Sequence, residues 1–482
     1  MSIDPFWSAT EIAAAIRARR ASATDVLDMY LARIAKHNPA LNAICTLDEA
    51  GARERAREAD AALARGDLWG PLHGVPMTIK DALETAGMRT TGGHPPLANY
   101  VPTRDAPAVA RLRAAGAILM GKTNVPPLSA DYRADNPIFG RTNNPWDLSR
   151  TPGGSTGGGA AAVSAGLSAF DVGSDLAGSV RIPAHFCGLF GLKPTERRVP
   201  NTGHIPEPPG LARAVRHMNV LGPLARSVED LALILRLIAG PDDAEWDVPP
   251  VPIVDPPQRP LASMRFAWST NFAGLPVTND TKAAIARLAN ELAGIGCRVE
   301  QRMPADFDIE LAWETWGEIL IAERAATAPE RVAERVAALN ASLGDKVAVG
   351  RGSAKGARAS IGDYMASLTR RDALISALEK FFDDWDAWLC PVTVSPAIPH
   401  VPFGTPVDVD ESKVPYFLAG TSYTCVFNLT GNPVVVLPLA RSKQGLPIGV
   451  QVIGRRWSEA SLLALARQLA LVTGPFRSPP GY

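Results

Sequence analysis

A chain of 482 residues, 46% of them apolar, buries a large core, as one big domain or as two or three smaller ones. Its 49 Lys+Arg offset its 49 Asp+Glu, which argues against a dedicated nucleic-acid or anionic-membrane surface. MSIDPFWSAT lacks a basic segment before an apolar run, no apolar stretch can span a bilayer, and the 5 cysteines avoid C-x-x-C pairs; the expectation is a cytoplasmic protein with free thiols. Ser8-Ala9-Thr10-Glu11 forms a capping box ahead of IAAAIRARR, and Ser22 to Thr24 start a second helix, DVLDMYLARIAKH. The charged, alanine-rich EAGARERAREADAALARG reads as a third, exposed helix, so residues 1–68 are expected to be helical.

From 70 to 240, short apolar runs (VPMTIKD, AILMGK, FDVGSD) alternate with helices such as APAVARLRAAG, the pattern of a largely parallel sheet covered on both faces. A proline-studded excursion follows at 241–260. MRFAWST and NDTKAAIARLANELAGIG resume strand and helix, and 309–380 reads as a variable helical cap carrying Trp313, Trp316 and Tyr364. In 381–482, AWLCPVTV, PVVVLPLA and PIGVQVIG return to strand before a last helix, SEASLLALARQLALVTG. No internal repeat is present. Strands that return after a helical insertion predict an α/β fold: one large domain, residues 1–482, around a central mixed, mostly parallel sheet with helices on both faces.

The chemistry concentrates in two glycine-rich turns, Thr151-Pro152-Gly153-Gly154-Ser155-Thr156-Gly157-Gly158-Gly159 and Gly173-Ser174-Asp175-Leu176-Ala177-Gly178-Ser179. Glycine permits positive φ and clears side chains from a substrate's path. Each serine alone reads as a helix N-cap. Together, with Lys80 closing the apolar run Val75–Ile79, they point to a hydrolase that works without histidine. A serine hydroxyl needs a base, and burial lowers a lysine from about 10.4 toward neutrality. Lys122 and Lys193 also end or follow apolar runs, so composition does not choose among the three. The turn Leu176-Ala177-Gly178-Ser179 can aim successive N–H groups at one oxyanion. Gly153–Gly157 also fits G-x-S-x-G, which would need a later histidine. Of His185, His204, His217 and His400, only His400 lies late, and the histidines read as structural. No metal or cofactor motif is found.

These segments closely resemble the amidase signature family. GGSTGGGAAAVSAG is similar to its glycine- and serine-rich signature, GSDLAGSVRIPAHFCGLFGLKPT to its nucleophile segment, and GPLHGVPMTIKD to its lysine segment. FGRTNNPWDLSRTPGG, FNLTGNPVVVLPLA and GLPIGVQVIG extend the resemblance over nearly the whole chain, with 241–260 and 309–380 the weakest parts. The resemblance implies the amidase signature fold, with Ser179 as nucleophile, Ser155 as bridging serine after a cis peptide bond from Gly154, and Lys80 as base. It implies an oxyanion hole from the N–H groups of Leu176, Ala177, Gly178 and Ser179. Thr156 stands at the second signature serine, Ala177 where many members have glycine, and Pro127 where many have an acidic residue.

The family spans many amides, so the substrate rests on thinner signals. Tyr132, Phe139 and Trp316, with the loop 201–210, are the candidate substrate contacts; the alternative for the cap aromatics is a place in the core. The expectation is a hydrolase of small aryl or alkyl amides, with esters and carbamates (urethanes) as further substrates, and with no nucleic-acid or membrane partner. Dimerisation is common in the family, which makes a homodimer an expectation. The alternatives are a component of a glutamyl-tRNA amidotransferase, an α/β-hydrolase-type esterase using Ser155 and His400, and a non-catalytic anion-binding protein.

Overall fold

The computed structural model describes residues 3–205, 213–343 and 347–482. An eleven-stranded sheet organises them, in the order Ile44–Leu47, Ile118–Thr123, Pro76–Lys80, Asp171–Asp175, Val220–Ala225, Phe190–Lys193, Val434–Arg441, Pro447–Ile453, Ala387–Pro391, Arg265–Trp268, Arg298–Gln301. Strands from both ends of the chain share this one sheet, as the strands returning after the helical insertion predict. The sheet is mixed, but six of its ten neighbouring pairs are antiparallel and four parallel, a balance that corrects the mostly parallel expectation. Parallel pairs lie toward the two ends, where helices cross over. The centre is antiparallel, and Val434–Arg441 and Pro447–Ile453 there form a hairpin.

Alternation along the strands feeds two cores. Val435, Leu437, Ala387, Leu389, Val450 and Val452 enter one, with the N-terminal helices and the C-terminal helix Glu459–Thr473. Their neighbours Val434, Trp388, Cys390 and Ile453 enter the other, with the helices Ile309–Ala325, Ile361–Phe381 and Tyr416–Leu429. The expected capping box of Ser8 with Glu11 is in place, and the second helix starts at Ser22, which closes a further box with Asp25. The buried helix Tyr416–Leu429 lies outside the sequence expectations. Only Phe417 along it is not buried, so it has no polar face to produce a helical period. No helix among the described residues is long and apolar enough to cross a membrane.

The strands Pro76–Lys80 and Asp171–Asp175 run parallel side by side, Thr78 opposite Asp171 and Ile79 opposite Val172. Both present their carboxyl ends to one place, where ligands of parallel sheets bind. Helix Gly157–Ser164 follows the first glycine-rich turn and packs directly on the chain there: a Cβ on Gly158 would lie 2.3 Å from the Asn124 nitrogen.

Candidate active site

Lys80 ends its strand fully buried, and its Nζ lies 2.6 Å from Ser155 Oγ and 2.8 Å from Ser174 Oγ. Burial lowers the amine from 10.5 to about 7, against the pull of the Asp175 and Asp171 carboxylates. Lys122 and Lys193 are as deeply buried, but Lys122 Nζ bonds the Leu83 carbonyl and Thr85 Oγ1, and Lys193 Nζ the Pro194 carbonyl. Of the three lysines, only Lys80 reaches a serine of the glycine-rich turns.

Neither serine is a cap. The helix after Ser155 is capped at Thr156 and the helix Arg181–Cys187 at Val180, neither with a side-chain cap bond. The Gly154–Ser155 bond is cis, as the resemblance implies. The two turns are tied together where the Thr156 N–H donates to the Ser179 carbonyl at 3.1 Å. Ser155 and Ser179 line one cleft with Leu128, Ser129, Ser174 and Leu176, and with Asn201, His204, Arg213, Val215, Asn219 and Arg324. Its enclosed part measures about 20 Å³, roughly the room of one water, within a cleft of about 420 Å³ that includes the open mouth. Ser179 is half-buried, whereas Ser155 and Lys80 are fully buried.

The loop Leu176–Ser179 is held from three sides. Trp316 Nε1 donates to the Leu176 carbonyl at 3.2 Å, and Thr424 Oγ1 to the Ala177 carbonyl at 2.6 Å. In a trans peptide the N–H points opposite the C=O, so the first bond turns the Ala177 N–H away from Trp316. Asp175 accepts from the N–H groups of Gly178 (2.8 Å) and Val180 (3.1 Å) and forms a buried ion pair with Arg181 at 2.8 Å. Burial alone would raise this carboxyl, but Arg181, Lys193 and Asn428 hold it well below the usual range. The four-donor oxyanion hole is therefore corrected: Gly178 gives its N–H to Asp175. Leu176, Ala177 and Ser179 keep N–H groups with no acceptor among the described residues.

The expected substrate contacts do not line the cleft. Tyr132 is buried, stacked on Tyr416 at 4.4 Å, and donates to the Tyr416 carbonyl. Phe139 lies under Arg89 at 4.7 Å. Trp316 packs in the core and buttresses Leu176 from behind; Trp313 is likewise core. The helix Ile309–Ala325 reaches the cleft instead through Arg324. Of the loop 201–210, Asn201 and His204 line the cleft, and 206–210 lie outside the described residues. No histidine bonds Ser155 or Ser179 among the described residues, and His400 lines a separate cavity with Arg133 and Arg141. His204 is reached in sequence only as part of the loop 201–210 and otherwise reads as structural, and Ser174 is given no role; both are single polar residues whose partners stand far along the chain. Pro127 opens a short turn in which Leu128 and Ser129, both facing the cleft, take positive φ of 51° and 55°.

Fold and site together define a hydrolase of amide carbon–nitrogen bonds. The chain belongs to the amidase family, which it matches over residues 25–463. It is 36% identical to the indoleacetamide hydrolase of Bradyrhizobium diazoefficiens, covering 94% of this chain and 84% of the relative. It is 35% identical to a component of the glutamyl-tRNA(Gln) amidotransferase of Roseiflexus castenholzii, covering 94% of this chain and 93% of that one. Among solved structures, it resembles a 6-aminohexanoate cyclic dimer hydrolase with TM-score 0.80 and 28% identity, 99% of each chain being covered.

Proposed function

We propose that this chain is a serine amidase that cleaves a small linear carboxamide through an acyl-enzyme, with Ser179 as nucleophile, Ser155 as proton bridge and Lys80 as base. The observation that carries this reading is the 2.6 Å contact of Lys80 Nζ with Ser155 Oγ, a serine that shares one cleft with the half-buried Ser179. Ser179 Oγ bonds to the carbonyl carbon while its proton passes to Ser155, whose own proton passes to Lys80. The oxyanion is taken by the N–H groups of Leu176, Ala177 and Ser179, each worth about 3–4 kcal/mol in comparable sites. The proton returns by the same route to the leaving nitrogen as the C–N bond breaks. Water then attacks the acyl carbon, gives a proton to the relay, and frees the acid and Ser179.

The narrow cleft favours a small substrate, and Leu128, Leu176 and Val215 give it an apolar wall. The similarity to an indoleacetamide hydrolase supports a primary amide on an arylalkyl acyl group. Esters and carbamates enter by the same acyl-enzyme. The similarity to amidotransferase components supports a second reading, release of ammonia from glutamine beside partner proteins. The test is fluorophosphonate labelling with mass-spectrometric mapping, alongside a panel of aryl and alkyl amides, esters, carbamates and glutamine, with Lys80→Ala as control. Label on Ser179 and amide turnover lost in Lys80→Ala are expected. Label on Ser155 with activity indifferent to Lys80 would overturn the reading, and turnover of glutamine alone would favour the second.

A further inference from the structure

His204 plays no part in the steps above, yet it lines the same cleft and is nearly buried. Its Nε2 lies 2.8 Å from Ser174 Oγ, which lies 2.8 Å from Lys80 Nζ. On the other side of the ring, Asn219 Nδ2 stands 3.4 Å from His204 Nδ1 and 2.6 Å from Asn201 Oδ1. Asn201 Nδ2 donates to the Asn219 carbonyl at 3.3 Å, so the Asn201 oxygen is the atom that faces Asn219. Asn219 is then the donor to both neighbours, His204 Nδ1 accepts, and the single ring proton sits on Nε2, aimed at Ser174. Burial, with Lys80 and Arg213 as the nearby charges, holds the ring well below its ordinary pKa and therefore neutral. The charges that face Lys80 in turn are Asp175 and Asp171.

Ser174 Oγ has two lone pairs and one proton. The His204 N–H takes one lone pair and a Lys80 N–H takes the other. The hydroxyl proton is thereby turned toward the cleft, and the Lys80 lone pair is left to Ser155. Without the His204 donor, the Ser174 hydroxyl is free to rotate, and one of its orientations donates to Lys80. That orientation occupies the lone pair that has to receive the Ser155 proton.

We infer that His204 is a positioning residue which, through Ser174, keeps the lone pair of Lys80 directed at Ser155. The inference rests on the proposed role of Lys80 as base. It is tested with His204→Leu, which removes both ring nitrogens, and His204→Gln, which restores an N–H donor of similar reach. The readouts are kcat and KM on an aryl amide and the rate constant for fluorophosphonate labelling of Ser179, each across pH. His204→Leu is expected to lower kcat and the labelling rate about five- to tenfold with KM little changed. Its acid limb moves to lower pH, because a Ser174 hydroxyl that donates to the Lys80 lone pair stabilises the neutral amine. His204→Gln recovers most of both effects, and Ser174→Ala costs less in the His204→Leu background than in the wild type, since the two share one contact. Wild-type kinetics in His204→Leu, a glutamine variant no better than leucine, or losses that add in the double variant would overturn the inference. Absence of label on wild-type Ser179 would instead sink the amidase reading, and this inference with it.

Discussion

Replacing Lys80 by methionine is expected to abolish turnover and, at neutral pH, to make the protein harder to unfold. An ordinary lysine titrates at 10.5, and Lys80, through burial, at about 7. The unfolded chain therefore binds this proton more tightly than the folded one, and the folded state is penalised most at and below pH 7. The penalty fades as pH rises toward 10.5. It amounts to about 4–5 kcal/mol at pH 7 and about 2 kcal/mol at pH 9. Methionine fills a similar volume with no charge to desolvate. It leaves Ser155 Oγ without its hydrogen-bond partner Lys80, a loss of about 1–3 kcal/mol that does not change with pH. The net gain is about 2–3 kcal/mol at pH 7 and close to none at pH 9. For a chain of this length, about 1 kcal/mol corresponds to about 1 °C of melting midpoint. Calorimetry at matched scan rates should find Lys80→Met about 2–3 °C above wild type at pH 7 and level with it near pH 9. A difference that does not vary between those pH values would refute the reasoning, because the amine would then hold its charge in the fold at no special cost.

With Lys80 as the proposed base and its pKa at about 7, labelling of Ser179 should fall about tenfold for each unit below that value. Asp171→Asn should carry this limb to lower pH, since the Asp171 carboxyl, itself raised by burial to about 7, helps hold the lysine's pKa up while it is ionised; a limb that stays in place would exclude that coupling. Asp175→Asn strips the fully buried Arg181 of its carboxylate and should cost about 3–5 kcal/mol, seen as a lower melting midpoint and slower labelling. Gly178→Ala places a Cβ 2.5 Å from Thr424 Oγ1 at a φ of +110°, and should cost about a hundredfold in kcat while the fold survives; near-normal kcat would show that the turn tolerates displacement.

What is legible in the chain is what neighbouring residues decide. The capping box at Ser8–Glu11 and the helix start at Ser22 need only one turn of helix, and the structure has both. The strand ending at Lys80 follows from its apolar run and the glycine and proline before it. Helix Tyr416–Leu429 is illegible because burial on nearly every side removes the polar face that marks a helix. Yet it is this helix that supplies Thr424 and Asn428 to the loop carrying Ser179. Tyr132, a candidate substrate contact in the sequence, is buried away from the cleft. Its stacking partner, Tyr416, stands at the opposite end of the chain.

The site divides along the same line. Three lysines are equally buried, and burial brings Lys80 and Lys193 to about 7 and Lys122 to about 8, so neither sequence nor desolvation distinguishes a base. What distinguishes Lys80 is the pair of hydroxyls its Nζ meets, Ser155 and Ser174, brought there by a parallel strand and a turn from far along the chain. A lysine whose only acceptor is a carbonyl, as at Lys193, has no proton to receive from it. One bonded to a hydroxyl can exchange a proton with it; Lys122 also meets a hydroxyl, but Thr85 gives its proton to the Leu83 carbonyl and does not line the cleft, whereas Ser155 and Ser174 do. The Gly178 N–H obeys the same logic in reverse: its aim at Asp175 makes it part of the frame, and the donors left without an acceptor are the ones a substrate oxygen can use. Function in this chain therefore follows from which polar groups the fold leaves half-satisfied, and that depends on pairing between distant segments.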